Sequence, residues 1–282
     1  MHTVLITGGN GKMGRCIAEG LREAGYNVRS TSRTPNPELG VEALNIRDRE
    51  ACLKIMEGVD TVIHMAYHIR SDQFLEEQVQ TNMIGTWNVY EAAAKAGVKR
   101  IIFGSSNHAV GFYKRGDELR EDIMQRPDSP YGLSKAFSEL CGRYLSDRCG
   151  ISVINVRIGT FPHDDVGLPN SIRNTRTWLS NRDCKQLFLR CVEADESIKF
   201  LTLYGISNNA NRDFDISRLG ELIGYYPEDD GSLHMEYARS ANGSSGLVEL
   251  EFLGNTHVKI DPFTGQSIKG KWGDVQEKHN EK

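Results

Sequence analysis

Short apolar runs and helix-spaced apolar positions alternate along the N-terminal half of the chain. Val4-Leu5-Ile6 reads as a buried strand, and Ile17, Ala18, Leu21 and Ala24 after it recur at the three-to-four-residue interval of an amphipathic helix. The pairing continues with strands at about Asn27 to Ser32 and Val41 to Ile46, a helix from Asp48 to Met56, and the apolar strand Thr61 to Ala66. A long helix from Phe74 to Gly97 follows, then a strand from Lys99 to Gly104 holding Ile101-Ile102-Phe103, a helix from Pro130 to Arg148, and a strand from Ile151 to Ile158. Strands and helices that alternate without a Pro/Gly/Ser linker predict an α/β chain with one doubly wound, mainly parallel sheet.

Beyond Gly159 the pattern loosens. Thr160 to Thr177 is loop-like, Trp178 to Ala194 predicts a helix, Lys199 to Tyr204 a strand, and Ile216 to Tyr225 a further helix. The expected organisation is a core over 1–158, a small C-terminal part of the same domain over 159–269 that caps the sheet's carboxyl edge and clasps substrate, and a polar, frayed tail over 270–282.

Composition changes this picture little. With 282 residues, 39% hydrophobic and 26% charged, the chain has length enough for a sizeable core. A net charge of −4 offers no electrostatic reason to expect nucleic acid or an anionic membrane as partner. No secretory pattern precedes Val4 and no run reaches membrane-spanning length, so a cytoplasmic protein is expected. The six cysteines include no C-x-x-C pair and read as reduced thiols. His64 and His68 straddle a strand end and do not suggest a metal pair, and no metal is expected. Cys141 falls six residues beyond Lys135, which argues against a catalytic thiol.

Chemistry enters first at Thr7 to Gly14, where Gly8, Gly11 and Gly14 lie between the first strand and the first helix. In a Rossmann dinucleotide unit such glycines permit the tight turn, admit a pyrophosphate to the backbone, and seat the helix on the sheet. Ser32-Arg33 ends the second strand where an NAD-selective protein offers an acid to the ribose. Ser can hydrogen-bond a 2′-phosphate and Arg can pair with it, so NADP is expected over NAD. Lys12 adds a positive charge to the turn or is solvated. Asn82, Gly85 and Asn88 interrupt the apolar face of the long helix. A buried Asn needs a partner, so Asn82 either bonds across to the site backbone or serves helix packing.

The fifth apolar run delivers Ser105-Ser106-Asn107-His108 at its carboxyl end, where open α/β sheets place ligands. Further on, Tyr131 and Lys135 are four apart behind Pro130 and share one helix face. A nearby ammonium favours phenolate, so Lys135 is expected to lower the Tyr131 pKa and make it a proton acceptor.

In order, these features resemble the extended short-chain dehydrogenase/reductase family: T-G-x-x-G-x-x-G at Thr7 to Gly14, V-I-H-x-A at Val62 to Ala66, N-x-x-G-T-x-N at Asn82 to Asn88, the Ser106 strand end, and Tyr131-x-x-x-Lys135. Within it the chain resembles the uronate dehydrogenases through Ser105 to His108 with Gly111-Phe112-Tyr113, Val156 to Thr160, and Arg173 five residues before Trp178-Leu179-Ser180. The resemblance implies Ser106, Tyr131 and Lys135 as the catalytic trio, with Asn107, His108 and Thr160 on the sugar and Arg173 on its carboxylate. It implies a cofactor site of Gly8, Asn10, Gly11, Lys12, Met13, Gly14, Ser32, Arg33, Asn45, Ile46, Met65, Ala66, Tyr67, Asn82 and Lys135. The implied reaction is oxidation of a hexuronate C1 hydroxyl to a lactone, and the implied assembly is a homodimer through the helices at Phe74–Gly97 and Pro130–Arg148.

The chain departs from those enzymes at Ser32-Arg33, where they are acidic, at Asn45-Ile46 in place of Asp-Leu, at Ile69 in place of a substrate serine, and in a longer loop before Arg173. With Arg173 and Arg176 both present, a phosphate or sulfonate on an aldose is an alternative anion. A nucleotide-sugar epimerase or dehydratase shares the trio but needs a larger C-terminal part, and a non-catalytic dinucleotide sensor has no reason to keep both Tyr131 and Lys135.

Overall fold

The computed structural model describes residues 1–69, 73–117, 119–162 and 166–241. The expected tail at 270–282, and 242–269 before it, lie outside the described residues. The strands are β1 (Thr3–Thr7), β2 (Asn27–Ser32), β3 (Val41–Ala43), β4 (Thr61–His64), β5 (Arg100–Ser106), β6 (Ser152–Ile158) and β7 (Phe200–Gly205). They form one sheet in the order β3-β2-β1-β4-β5-β6-β7, and every pairing is parallel. The order reverses between β1 and β4, which opens a crevice at their carboxyl ends.

Each sheet face is covered by its own helices. Helices α1 (Lys12–Glu23) and α6 (Asn181–Glu193) bury Ile17, Leu21, Leu187 and Phe188 against one face. On the other, α2 (Arg49–Ile55), α3 (Thr86–Lys95) and α4 (Pro130–Cys149) bury Cys52, Val89, Tyr90 and Leu145. This double cover explains why β1, β4 and β5 read as unbroken apolar runs: their residues are buried throughout.

The expected helix Phe74–Gly97 is two elements, a π-helix over Phe74–Gly85 and then α3. The junction is tight, since a Cβ on Gly85 would lie 2.8 Å from Ile46 Cδ1. The wider turn buries Gln78 and Asn82 toward the sheet.

The expected helix from Trp178 also differs. A short helix α5 (Ile172–Thr177) occupies the region read as loop, Trp178 is extended and bridges Thr160, and α6 begins only at Asn181. The reason is the cap: Ser180 Oγ accepts from Asp183 N at 3.1 Å, which starts the helix after the apolar Trp178-Leu179 pair. Strands β3 and β4 end earlier than expected, at Ala43 and His64, and α7 (Leu219–Ile223) is shorter than Ile216–Tyr225. Gly224, at φ +73°, ends α7. A further helix, α8, spans Met235–Ala241.

Candidate active site

The glycine turn sits where the sheet opens. Gly8 has φ +76°, and a Cβ there would fall 2.7 Å from Met65 C and Ala66 N, so only glycine lets β1 turn against the end of β4. A Cβ on Gly14 would lie 2.5 Å from Gly8 O, which explains the close seating of α1. Gly11 precedes α1 without a side-chain cap, leaving the first-turn N–H groups to a ligand. Asn10 Nδ2 donates to Thr34 O at 2.6 Å and ties the turn to the loop that begins at half-buried Ser32 and exposed Arg33. Asn10 Oδ1 and Ser30 Oγ are enclosed without a hydrogen-bond partner beside this turn. A glycine cradle of this form with enclosed polar atoms fits a dinucleotide.

The strand ends are locked from below. Thr7 Oγ1 accepts from Met65 N and Ala66 N, both at 3.2 Å, and meets His64 Nδ1 at 2.7 Å, while His64 Nε2 meets Thr86 Oγ1 at 3.0 Å. Complete burial lowers the His64 pKa to about 3, so the ring is neutral and structural. Asn82 bonds across to the strand-end backbone: Oδ1 accepts from His68 N and Nδ2 donates to His68 O, each at 2.8 Å, with Nδ2 also 3.3 Å from Ser134 Oγ. Asn88 donates to Ile46 O at 3.0 Å. The Ile46 side chain is buried in the core, so what it can offer a cofactor is backbone, and Asn45 Oδ1 accepts from Arg47 N at 3.2 Å.

Ser106, Tyr131 and Lys135 come together at the end of β5 and the start of α4. Ser129 Oγ accepts from Gly132 N at 3.0 Å and Pro130 occupies the first turn, which fixes the helix start just before Tyr131. Ser106 is 5% exposed, and its hydroxyl is near enough to Tyr131 to work against the rise of that phenol's pKa. Lys135 is 3% exposed; its Nζ donates to Gly104 O and lies 3.3 Å from the centre of the Tyr67 ring. Tyr67 in turn donates to Ser134 O at 2.8 Å.

The expected depression of the Tyr131 pKa is not what the structure shows. Tyr131 keeps an accessible edge, but dense surroundings push its phenol up to about 12, and Ser106 only partly opposes this. Lys135 is the more perturbed partner, since burial holds its ammonium well below the usual range and the Glu139 carboxylate works against that.

Glu139 is one turn beyond Lys135 and is fully buried. Its carboxylate takes Arg157 Nε at 3.0 Å and Nη2 at 2.9 Å, Ser105 Oγ at 2.6 Å, and Gln125 Nε2 at 2.9 Å. This network staples α4, β5 and β6 together under the trio. Cys141 on the same helix is buried and its thiol is pushed up to about 11, which suits a structural role.

At the substrate end, Asn107 Oδ1 accepts from Ser106 Oγ at 3.3 Å. His108 Nδ1 lies 2.9 Å from Asp128 Oδ2, with its ring edge-on to Tyr131 at 5.9 Å. Thr160 Oγ1 meets Thr177 Oγ1 at 2.8 Å and Asn174 Oδ1 at 3.3 Å, and Arg173 Nη1 reaches the same Asn174 Oδ1 at 3.4 Å. Burial lowers the Arg173 pKa, and Asp128 opposes it, so Arg173 lies in electrostatic reach of the carboxylate that holds His108. Arg176 instead pairs with Asp213, Nε to Oδ2 at 2.9 Å. Asp128 and Glu139 were not legible as site residues: one reads as a helix lead-in, the other as a charge on a helix face.

A glycine cradle at the sheet's switch point and a buried Ser/Tyr/Lys group beside it define a nicotinamide-dependent oxidoreductase acting on CH–OH. Comparison with known proteins agrees. The model of the NAD-dependent epimerase/dehydratase family matches residues 4–162, and the chain belongs to that family. It is 34% identical over 238 residues to a uronate dehydrogenase of Pseudomonas syringae pv. tomato, covering 82% of this chain and 84% of that one. It is 35% identical over 250 residues to an NAD-dependent glucose-6-phosphate dehydrogenase of Haloferax volcanii, covering 81% and 94%. A crystal structure of uronate dehydrogenase from Agrobacterium tumefaciens superposes with a TM-score of 0.82 at 30% identity, covering 90% of this chain and 95% of that one. The relatives make this chain an NAD(P)-dependent sugar dehydrogenase. Among the described residues no helix is long and apolar enough to cross a membrane.

Proposed function

We propose that the protein oxidises the C1 hydroxyl of an acidic sugar, a hexuronate such as galacturonate or glucuronate, to its lactone. The observation that carries this is Arg173 joined through Asn174 to Thr160 and within electrostatic reach of Asp128, the carboxylate that holds His108 edge-on to Tyr131. When bound, the nicotinamide supplies the hydride acceptor. Tyr131 takes the hydroxyl proton as phenolate, Ser106 orients that hydroxyl, and Lys135 holds the cofactor ribose and offsets the charge on the phenolate. Asn107, His108 and Thr160 hold the ring hydroxyls, and Arg173 binds the carboxylate in a planar, two-pronged fit.

NADP is the preferred cofactor in this reading, with Ser32 and Arg33 on the 2′-phosphate. The second reading, a phosphorylated aldose, draws on the Haloferax relative. A homodimer is supported by exposed Ile84 and Trp87 beside exposed Leu140 and Tyr144, with the Trp87 and Tyr144 rings 6.1 Å apart. A cytoplasmic location completes the reading.

The test is turnover of galacturonate, glucuronate and glucose 6-phosphate with each cofactor, followed at the reduced-nicotinamide band. The reading expects a uronate to be oxidised with higher kcat/KM for NADP⁺ than for NAD⁺. Turnover confined to the phosphate ester would replace the uronate with the second substrate.

A further inference from the structure

We infer that Asp128 is a positioning residue for the substrate end of the site: it holds the His108 ring with the proton on Nδ1, so that Nε2 is presented to the substrate as a bare acceptor. The inference rests on the acidic-sugar reading above and deepens it. An acceptor at that point admits a sugar hydroxyl and turns away the sugar's anionic end.

His108 and Asp128 are 20 residues apart in the chain, and close-packed glycines bring them together. A Cβ on Gly132 would fall 2.2 Å from His108 O, and one on Gly111 would fall 2.1 Å from Asp128 Oδ2. Asp128 N donates to His108 O at 3.3 Å and Arg126 N donates to Ala109 O at 3.0 Å, which pairs the stretch before α4 with the stretch after β5.

The Asp128 carboxylate is 3% exposed and the His108 side chain 29%, so the contact is covered while part of the ring stays open. His108 Nδ1 lies 3.0 Å from Oδ1 and 2.9 Å from Oδ2. Ser129 Oγ donates to Oδ1 at 3.0 Å and accepts from Gly132 N at 3.0 Å. The carboxylate is thereby tied to the first turn of α4, the turn that carries Tyr131, and the His108 ring lies edge-on to that phenol at 5.9 Å.

A carboxylate only accepts, so Nδ1 is the donor. In the neutral ring the single proton is then on Nδ1, and Nε2 keeps its lone pair. A lone pair takes an O–H and repels a carboxylate or phosphate oxygen, which discriminates between the two ends of an acidic sugar. The anionic end is left to Arg173, and a ring hydroxyl comes to His108 beside Tyr131.

Asp128 also opposes the fall of the Arg173 pKa, so its loss has two routes to the substrate, one through His108 and one through Arg173. A double-mutant cycle separates them. Asp128→Ala, His108→Ala and the double variant are compared with wild type on galacturonate and glucuronate. Asp128→Ala should raise KM by about 10- to 100-fold with kcat and cofactor affinity little changed, as expected for the loss of a charge-assisted hydrogen bond. In the His108→Ala background the same substitution should add less than about twofold. An equal rise with and without the ring, or no rise with it, overturns the inference.

Nitrogen-15 spectra of the histidine rings at about pH 9, above the ordinary imidazole range, give a readout apart from turnover. The His108 resonances are those that disappear in His108→Ala. Wild type should carry the proton on Nδ1, and the Nε2–H form should appear in Asp128→Ala. A proton on Nε2 in wild type, or an unchanged His108 spectrum in Asp128→Ala, overturns the inference. If no uronate is turned over but the spectra behave as expected, the functional reading falls and the positioning of the ring stands. If uronates are turned over and the cycle is additive, the positioning role falls and the function stands.

Discussion

The proposed reacting end of the site and its proposed anion-binding end are built differently. Ser106, Tyr131 and Lys135 stand on β5, in the middle of the sheet, and on the twenty-residue helix α4, with a buried ion pair beneath them. Thr160 and Arg173 stand on an isolated bridge and a six-residue helix, held by side-chain hydrogen bonds. On the proposed roles, the chemistry is fixed by elements that cannot shift without disturbing the sheet, while substrate choice rests on short segments that can change alone. A uronate and a phosphorylated hexose among the substrates named for its relatives fit that division.

If the division is right, changes at the two ends break different things. Tyr131→Phe should lower kcat by ~10²- to 10⁴-fold with cofactor affinity retained, as measured by steady-state kinetics and cofactor titration. With phenolate as the proposed working form and burial pushing the phenol up to about 12, wild-type kcat/KM should rise with pH between 7 and 10. A flat profile would remove Tyr131 as the limiting base.

Glu139→Ala leaves Arg157 buried and uncompensated, which should cost about 3–5 kcal/mol in denaturant unfolding. An exposed pair would give under ~1 kcal/mol. Arg173→Ala should raise KM for the acidic sugar by an amount equivalent to about 2–5 kcal/mol and barely touch kcat. A matching effect from Arg176→Ala would blur the distinction, since Arg176 is held by Asp213.

A further effect is expected at His64. Its folded pKa, about 3, is below the unfolded value of about 6.5, so the unfolded chain takes up the proton first. Stability present above pH 6.5 should drain away as pH falls toward 3. His64→Asn should flatten that slope by up to one proton, read from denaturant midpoints between pH 7 and 4.

The sequence made the reacting end plain because strand burial and helical spacing carry it. Thr7 to Gly14, the Ser106 strand end and Tyr131 with Lys135 each fall on an element that periodicity locates. Asn82 was legible as a polar residue in need of a partner, and its partner is the His68 backbone.

The anion-binding end was legible only in part. Trp178-Leu179 is as apolar as a helix start, yet Ser180 caps α6 after it and leaves the pair as a bridge to Thr160. Asp128 and Glu139 matter through contacts across the fold, which local pattern does not encode. The Tyr131 pKa differs from expectation for a related reason: spacing shows that Lys135 is near, but only packing shows the desolvation that pushes the phenol up.

The most direct measurement follows deuterium from C1-deuterated galacturonate through one turnover. The account predicts that the deuterium appears at C4 of the reduced nicotinamide, with the lactone as the other product and a primary isotope effect on the slow chemical step. Turnover that leaves deuterium on the sugar, or reduces no cofactor, would contradict it.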